Sequence, residues 1–133
     1  DFRSLVFFNS LSDLGATEER LQFNGASAVS LASDINVKFR KVILEKFKNH
    51  EISLLLGTDL LARGIDIENL EVVINFDIPR DREAYTHRAG RTGRMGNEGS
   101  VISLVTHPED LKKLKKFAKV SELVLKNQEL HEK

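Results

Sequence analysis

Short apolar runs rich in valine, isoleucine, leucine and phenylalanine alternate along the chain with longer amphipathic segments. Runs so short, with little polar alternation, suit strands buried on both faces, and the stretches between them are long enough for helices. Leu5 to Phe8 is the first such run. Asn9 and Ser10 come next as a turn or a helix cap, and Leu11 to Phe23 reads as a helix that Asn24-Gly25 stops. Ala28 to Leu31 is the second strand. Ser33 and Asp34 supply cap-type residues ahead of a helix over Val37 to Asn49, where Phe39, Val42, Ile43 and Phe47 share one face. Ile52 to Leu56, ended by Gly57, is the third strand, and Leu60 to Ala62 forms a single helical turn. Val72 to Phe76 is the fourth strand, and Pro79 ends the short segment after it. Asp81 to Gly90 is helical, Gly99 opens a fifth strand over Val101 to Val105, and Pro108 suits the first turn of a helix reaching about Ala118. In the tail, Leu123 to Leu125 reads as a short extra strand or as part of a frayed polar end.

Strands alternating with helices imply right-handed crossovers and an α/β fold with a mostly parallel central sheet covered on both faces. Ligands of such folds sit beyond the carboxyl ends of the strands. The loops that matter therefore begin at Asn9, Ser33, Gly57, Asp77 and Thr106.

The 133 residues suit one domain with its own core. With 20 basic and 20 acidic residues the formal charge is zero, so any nucleic-acid contact comes from a local patch. The absence of cysteine excludes disulfides and thiolate metal sites, and the four histidines show no ligand spacing. No apolar run approaches the ~20 residues that span a bilayer. Asp1 leads almost at once into a core-type strand, as expected of a domain taken from a longer protein.

The chemistry concentrates in Tyr85 to Gly96, YTHRAGRTGRMG. Arg88, Arg91 and Arg94 recur every third residue, with Gly90 and Gly93 before the last two. Residues three apart on a helix share a side, and glycine lets another surface approach the backbone. Guanidinium groups presented together suit a planar, multiply charged anion such as phosphate; a solvated basic helix end is the plainer alternative. His87 is read as a structural hydrogen-bonding group and not as a base, because no carboxylate lies near it in sequence.

Thr58 to Ile67, TDLLARGIDI, directly follows a strand and sets Thr58, Asp59, Arg63 and Asp66 at the functional edge, with Gly64 among them. Asp66 suits a sugar hydroxyl. The alternative is a polar turn closed by Arg63–Asp66 or Arg63–Asp59. Asn9 and Ser10 suit either a nucleic-acid backbone or a helix cap, and Ser33-Asp34 with Arg40 suit either a phosphate or a capped surface helix. A G-x-x-x-x-G-K-[ST] phosphate loop is missing, as is an acidic pair to hold magnesium. Arginines for a phosphate without a cradle for the nucleotide look like half of a site.

In this order the segments resemble the C-terminal RecA-like domain of DEAD-box ATP-dependent RNA helicases, over nearly all of Leu5 to Phe117. HRAGRTGR (His87 to Arg94) is similar to the family's H-R-x-G-R-x-G-R, TDLLARGIDI to the motif before it, LVFFNS (Leu5 to Ser10) to the opening strand motif, and RKVILEKFKNHE (Arg40 to Glu51) to the helix before the third strand. Histidine at the head of the arginine motif favours DEAD-box over DEAH-type proteins, which usually carry glutamine there.

The resemblance implies a three-layer P-loop NTPase-like sandwich and one helicase C-terminal domain over 1–133, with 119–133 a tail or the start of an extension. It implies that Arg91 and Arg94 are catalytic arginine fingers reaching the γ-phosphate of ATP, and that Asp66 binds the ribose. His87, Arg88, Arg63 and Gly64 would couple two domains, and Asn9, Ser10, Asp34, Arg40 and Thr58 would bind RNA. It implies ATP as cofactor, with magnesium held by an absent N-terminal RecA-like domain of the same chain. The whole would be a cytoplasmic monomer that touches no membrane and unwinds RNA or remodels RNA–protein complexes, the isolated domain being inactive. Two alternatives stay open: a non-catalytic RecA-like module that binds RNA or a partner, and a DNA helicase of the wider superfamily. The chain departs from the family at Ala32-Ser33-Asp34, where His-Gly-Asp is common, and at Val37, where glutamine is. Both departures remove polar or flexible groups from the RNA side.

Overall fold

A computed structural model describes residues 3–31, 36–62, 67, 70–92 and 99–120. Strands β1 (Ser4–Phe8), β2 (Ala28–Ser30), β3 (Leu54–Thr58), β4 (Val72–Asn75) and β5 (Ser100–Ser103) form one parallel sheet in the order β2-β3-β1-β4-β5. The helices are α1 (Leu14–Phe23), α2 (Val37–Lys48), the single turn α3 (Asp59–Ala62), α4 (Arg82–Ala89) and α5 (Pro108–Val120). No helix among the described residues is long and apolar enough to cross a membrane.

The two faces follow from the period of two along each strand. Val29, Leu55, Leu5, Val73 and Val101 lie side by side across all five strands and pack with Ile43, Leu44 and Phe47 of α2. Val6, Phe8, Leu56 and Ala28 face the other way and pack with Leu14 and Leu21 of α1. With helices on both faces the architecture is the expected three-layer α/β sandwich. Phe8, Phe47, Leu56 and Val73 are fully buried, and each such side chain contributes about 1.5–3 kcal/mol. A third cluster joins Tyr85 of α4 to Leu114 and Phe117 of α5, with Tyr85 and Phe117 ring centres 5.8 Å apart. Burial pushes the Tyr85 phenol above its ordinary value of 10.0.

Helix ends depart from the sequence reading in instructive ways. α1 starts at Leu14 and not Leu11, because 11–13 are spent turning the chain out of the sheet. α2 is capped by Asn36, whose side chain accepts from the Lys38 N–H at 2.8 Å; the expected cap residues Ser33 and Asp34 lie outside the described residues. Both helices end in the same paired closure. Gly25 N–H donates to Gln22 O and Ala26 N–H to Leu21 O; His50 N–H donates to Phe47 O and Glu51 N–H to Lys46 O. The closing residue needs a left-handed backbone, and φ is 87° at Gly25 and 65° at His50.

β3 begins two residues later than expected and runs through Gly57 to Thr58, because its register is set by β1: Ser4 pairs with Leu54 and Phe8 with Thr58. The expected apolar face of α2 is only partly used. Phe47 and Ile43 pack on the sheet, whereas Phe39 is 67% and Val42 48% exposed. The tail reading at Leu123 to Leu125 lies outside the described residues.

Candidate functional site

β1 sends its crossover toward β2 on one side and β4 sends its own toward β5 on the other, so the sheet switches direction between them. Such a switch leaves a crevice at the carboxyl ends of the strands. Asn9 leaves β1 there, Thr58 and Asp59 leave β3, and Asp77 leaves β4. α4 lies against these ends, held at its start by Asp81, whose carboxylate accepts from the Ala84 N–H at 2.8 Å.

At the centre stands Arg88, which is 1% exposed. Its Nε donates to Asp59 Oδ1 at 2.8 Å and its Nη2 to Asp59 Oδ2 at 2.7 Å, a two-pronged ion pair. Nη2 also donates to Asn9 Oδ1 at 2.7 Å, and Nη1 donates to Asn75 Oδ1 at 3.2 Å and Asp77 O at 2.8 Å. All five N–H donors of a guanidinium are thereby satisfied. The flat cation lies over the Phe7 ring, 5.1 Å from its centre. Asn75 is fully buried and passes the network on, its Nδ2 donating to Ser103 Oγ at 3.0 Å.

The neighbours of Arg88 point elsewhere. His87 is exposed, and Arg91 is half-buried on the turn after α4, its Nη1 3.4 Å from Ile67 O. Arg91 O accepts from Leu70 N–H at 3.1 Å, and the Thr92 hydroxyl donates to Leu70 O. The expectation that every third arginine shares one side is therefore corrected for Arg88. α4 ends at Ala89, so helical spacing does not extend to Arg91. Arg94, Arg63, Gly64, Asp66 and Asp34 lie outside the described residues.

Of the residues read as an RNA path, Asn9 is fully engaged within the domain. Its N–H donates to Asp77 Oδ2 and its Nδ2 to Ile78 O, both at 2.9 Å, while its O accepts from Arg80 Nη2 at 3.1 Å. Ser10 is exposed, with Ser12 Oγ 2.8 Å from its own hydroxyl. Thr58 ends β3 half-buried, and Arg40 sits half-buried on the first turn of α2. Asp59, open in the sequence to pairing with Arg63, is the partner of Arg88. Asn75 does not stand out in the sequence, and Asp77 is marked there only as the start of a strand-end loop. An asparagine inside the apolar run VVINF is the available signal, because a polar group buried in a strand needs a partner.

A cleft of about 240 Å³ opens over this network, lined by Phe7, Asp59, Arg80, Asp81, Glu83, Ala84, His87, Arg88 and Arg91. Its lining carries three guanidiniums and three carboxylates, so its formal charge balances. Arg80, Arg91 and His87 line it beside the engaged Arg88. No group of three potential metal ligands occurs among the described residues.

Residues 1–96 match the model of the helicase conserved C-terminal domain, and the chain belongs to that family. Within it, its relatives are DEAD-box RNA helicases. Over 88 residues it is 38% identical to ATP-dependent RNA helicase DeaD of Buchnera aphidicola subsp. Acyrthosiphon pisum, covering 66% of this chain and 15% of that protein. The C-terminal domain of the DEAD-box protein Dbp5 superposes with a TM-score of 0.82 at 29% identity, covering 90% of this chain and 70% of that one. S. cerevisiae Dbp5 bound to RNA and ADP BeF3 gives 0.80 at 30% identity, covering 89% of this chain and 32% of that one.

Proposed function

We propose that this domain serves as the second RecA-like lobe of an ATP-dependent RNA helicase, closing on an N-terminal lobe around ATP and RNA. The observation that carries the reading is the division of labour in the arginine motif: Arg88 is used up inside the domain, while Arg91 and His87 stand at the strand-end crevice where a second surface can meet them. The charge-balanced cleft supports a half-site, completed by groups from outside. The solved complex of Dbp5 with RNA and ADP BeF3 supports both ligands for this chain.

ATP, when bound with its magnesium by the partner lobe, supplies the phosphoryl group whose hydrolysis drives the cycle. Arg91 donates N–H bonds to the transferring group and offsets the charge that builds up there, and Arg94 is its companion finger. Asp66 is assigned to the ribose, and Arg63, Gly64 and His87 to the coupling of the two lobes. Ser10 and Thr58 offer hydroxyls to the RNA backbone, and Asp34 and Arg40 are assigned to the same ligand. Asn9 holds the loop that carries Ser10. Contacts confined to the backbone make binding largely independent of sequence. Closure that bends one strand out of A-form geometry releases its complement.

In the full-length protein, Arg91→Ala is expected to lower RNA-stimulated ATP hydrolysis by about 10³-fold with the melting temperature unchanged. Wild-type turnover in that variant overturns the finger assignment. Stimulation by DNA as strong as by RNA redirects the reading to a DNA helicase.

A further inference from the structure

We infer that Asp59 is a positioning residue for the arginine motif: through Arg88 it sets the direction of α4 and, with it, the placement of Arg91 and His87. The inference rests on the helicase reading above and deepens it.

α4 has an unusual hold on the sheet. Helices that cover a parallel sheet ordinarily do so with an aliphatic stripe. In α4, REAYTHRA, the two buried residues are Tyr85, which packs with Ile78 after β4 and with Leu114 and Phe117 of α5, and Arg88. The polar attachment of α4 to the strand ends is thus made by one guanidinium, beside the apolar contact of Tyr85 with Ile78. Apolar contact tolerates sliding, whereas hydrogen bonds in a fixed fork do not.

The partners of that fork come from separate strand ends: Asn9 after β1, Asp59 after β3, and Asn75 and Asp77 at and after β4. Asn75 carries the link to β5 through Ser103. Among these acceptors the Asp59 side chain is the charged one, and it takes two of the five bonds. It also stands next to Thr58, so the end of β3 and the arginine helix are tied together. Three residues past Arg88 the chain is tied again, where Leu70 bonds Arg91 O and Thr92. Arg91 is itself at this second fixing, three residues from the first.

Two roles for Asp59 are separable. As a counter-charge it only neutralises a buried cation. As a positioning residue it must also grip from the β3 side. Asn75 reaches the same guanidinium from β4, so Asn75→Asp returns the missing charge from a different direction.

The test uses the full-length protein, with RNA-stimulated turnover expressed per folded molecule. Asp59→Asn is expected to lower kcat about 10–100-fold, the scale of a small misplacement of a reacting group, with the KM for ATP within about threefold of wild type. The double variant Asp59→Asn/Asn75→Asp is expected to regain the melting temperature while its kcat stays low. Recovery of kcat together with the melting temperature overturns the inference, since counter-charge alone then suffices. Wild-type kcat in Asp59→Asn beside an inactive Arg91→Ala overturns it while leaving the helicase reading intact. A wild-type protein that RNA does not stimulate overturns the helicase reading and this inference with it.

Discussion

His50 and Gly25 occupy equivalent places, each closing a helix with a left-handed backbone, yet only one of them is glycine. A side chain in that conformation crowds the following carbonyl, at a cost of roughly 1 kcal/mol. His50→Gly is therefore expected to raise stability by up to about 1 kcal/mol in denaturant unfolding, whereas Gly25→Ala lowers it by a similar amount. Space is not the issue at Gly25, since nothing lies within 4 Å of where a Cβ would stand. The sequence announces the first of these closures, through Asn24-Gly25, and conceals the second, because histidine carries no such signal. Arg88 is concealed in a different way. The spacing of arginines in the motif is plain, but burial depends on where α4 ends and on which strand ends supply acceptors. Neither is written in a local pattern.

At the level of elements, the strands are legible because each is a short run of apolar residues, and β1, β2 and β4 fall within a residue or so of where the runs begin and end. β3 is displaced by two residues because pairing with β1, not composition, fixes its start. α2 illustrates the limit of periodicity. Phe39 and Val42 continue the stripe shared with Ile43 and Phe47, but they stay exposed while the other two pack on the sheet. For α4, capping matters more than propensity. Asp81→Ala removes the acceptor for the Ala84 N–H and is expected to cost about 1 kcal/mol. Faster hydrogen exchange at Ala84 and its neighbours would report the frayed first turn, and unchanged exchange would argue that the cap is idle.

Across the molecule, the Arg88 network and its cleft are gathered at the carboxyl ends of the strands, and the amino ends carry a separate electrostatic feature. The Glu71 carboxyl sits below its ordinary value of 4.5, chiefly through its own backbone N–H, against the opposing effect of desolvation, with help from the Arg3 N–H at 3.4 Å and the charges of Arg3 and His50. A carboxyl held low in the folded state contributes its full stability above the unfolded value. That contribution fades as the pH drops below about 4.5 and through the lowered folded value. The side chain is exposed, so the effect is small and weakens with salt. Glu71→Gln is expected to lower neutral stability slightly and to flatten the acid limb of the stability–pH curve, the two proteins converging at low pH. A curve parallel to wild type through pH 4.5 would remove Glu71 from the account. The overall architecture is open to a reader of the sequence, because alternation and motif order both point to it. The hub that organises the crevice is not, since Asn9, Asp59, Asn75, Asp77 and Arg88 meet only after folding.

His87 and Arg88 are adjacent in the chain but one faces water and the other is enclosed. Changing the enclosed one strands a carboxylate and two amides, a loss on the order of 3–5 kcal/mol for a buried pair, tempered here by the partial exposure of Asp59. Arg88→Ala is therefore expected to unfold this domain at a distinctly lower temperature than wild type, read as a downward shift of the melting transition. His87→Ala, altering a side chain already in water, is expected to leave that transition where it is.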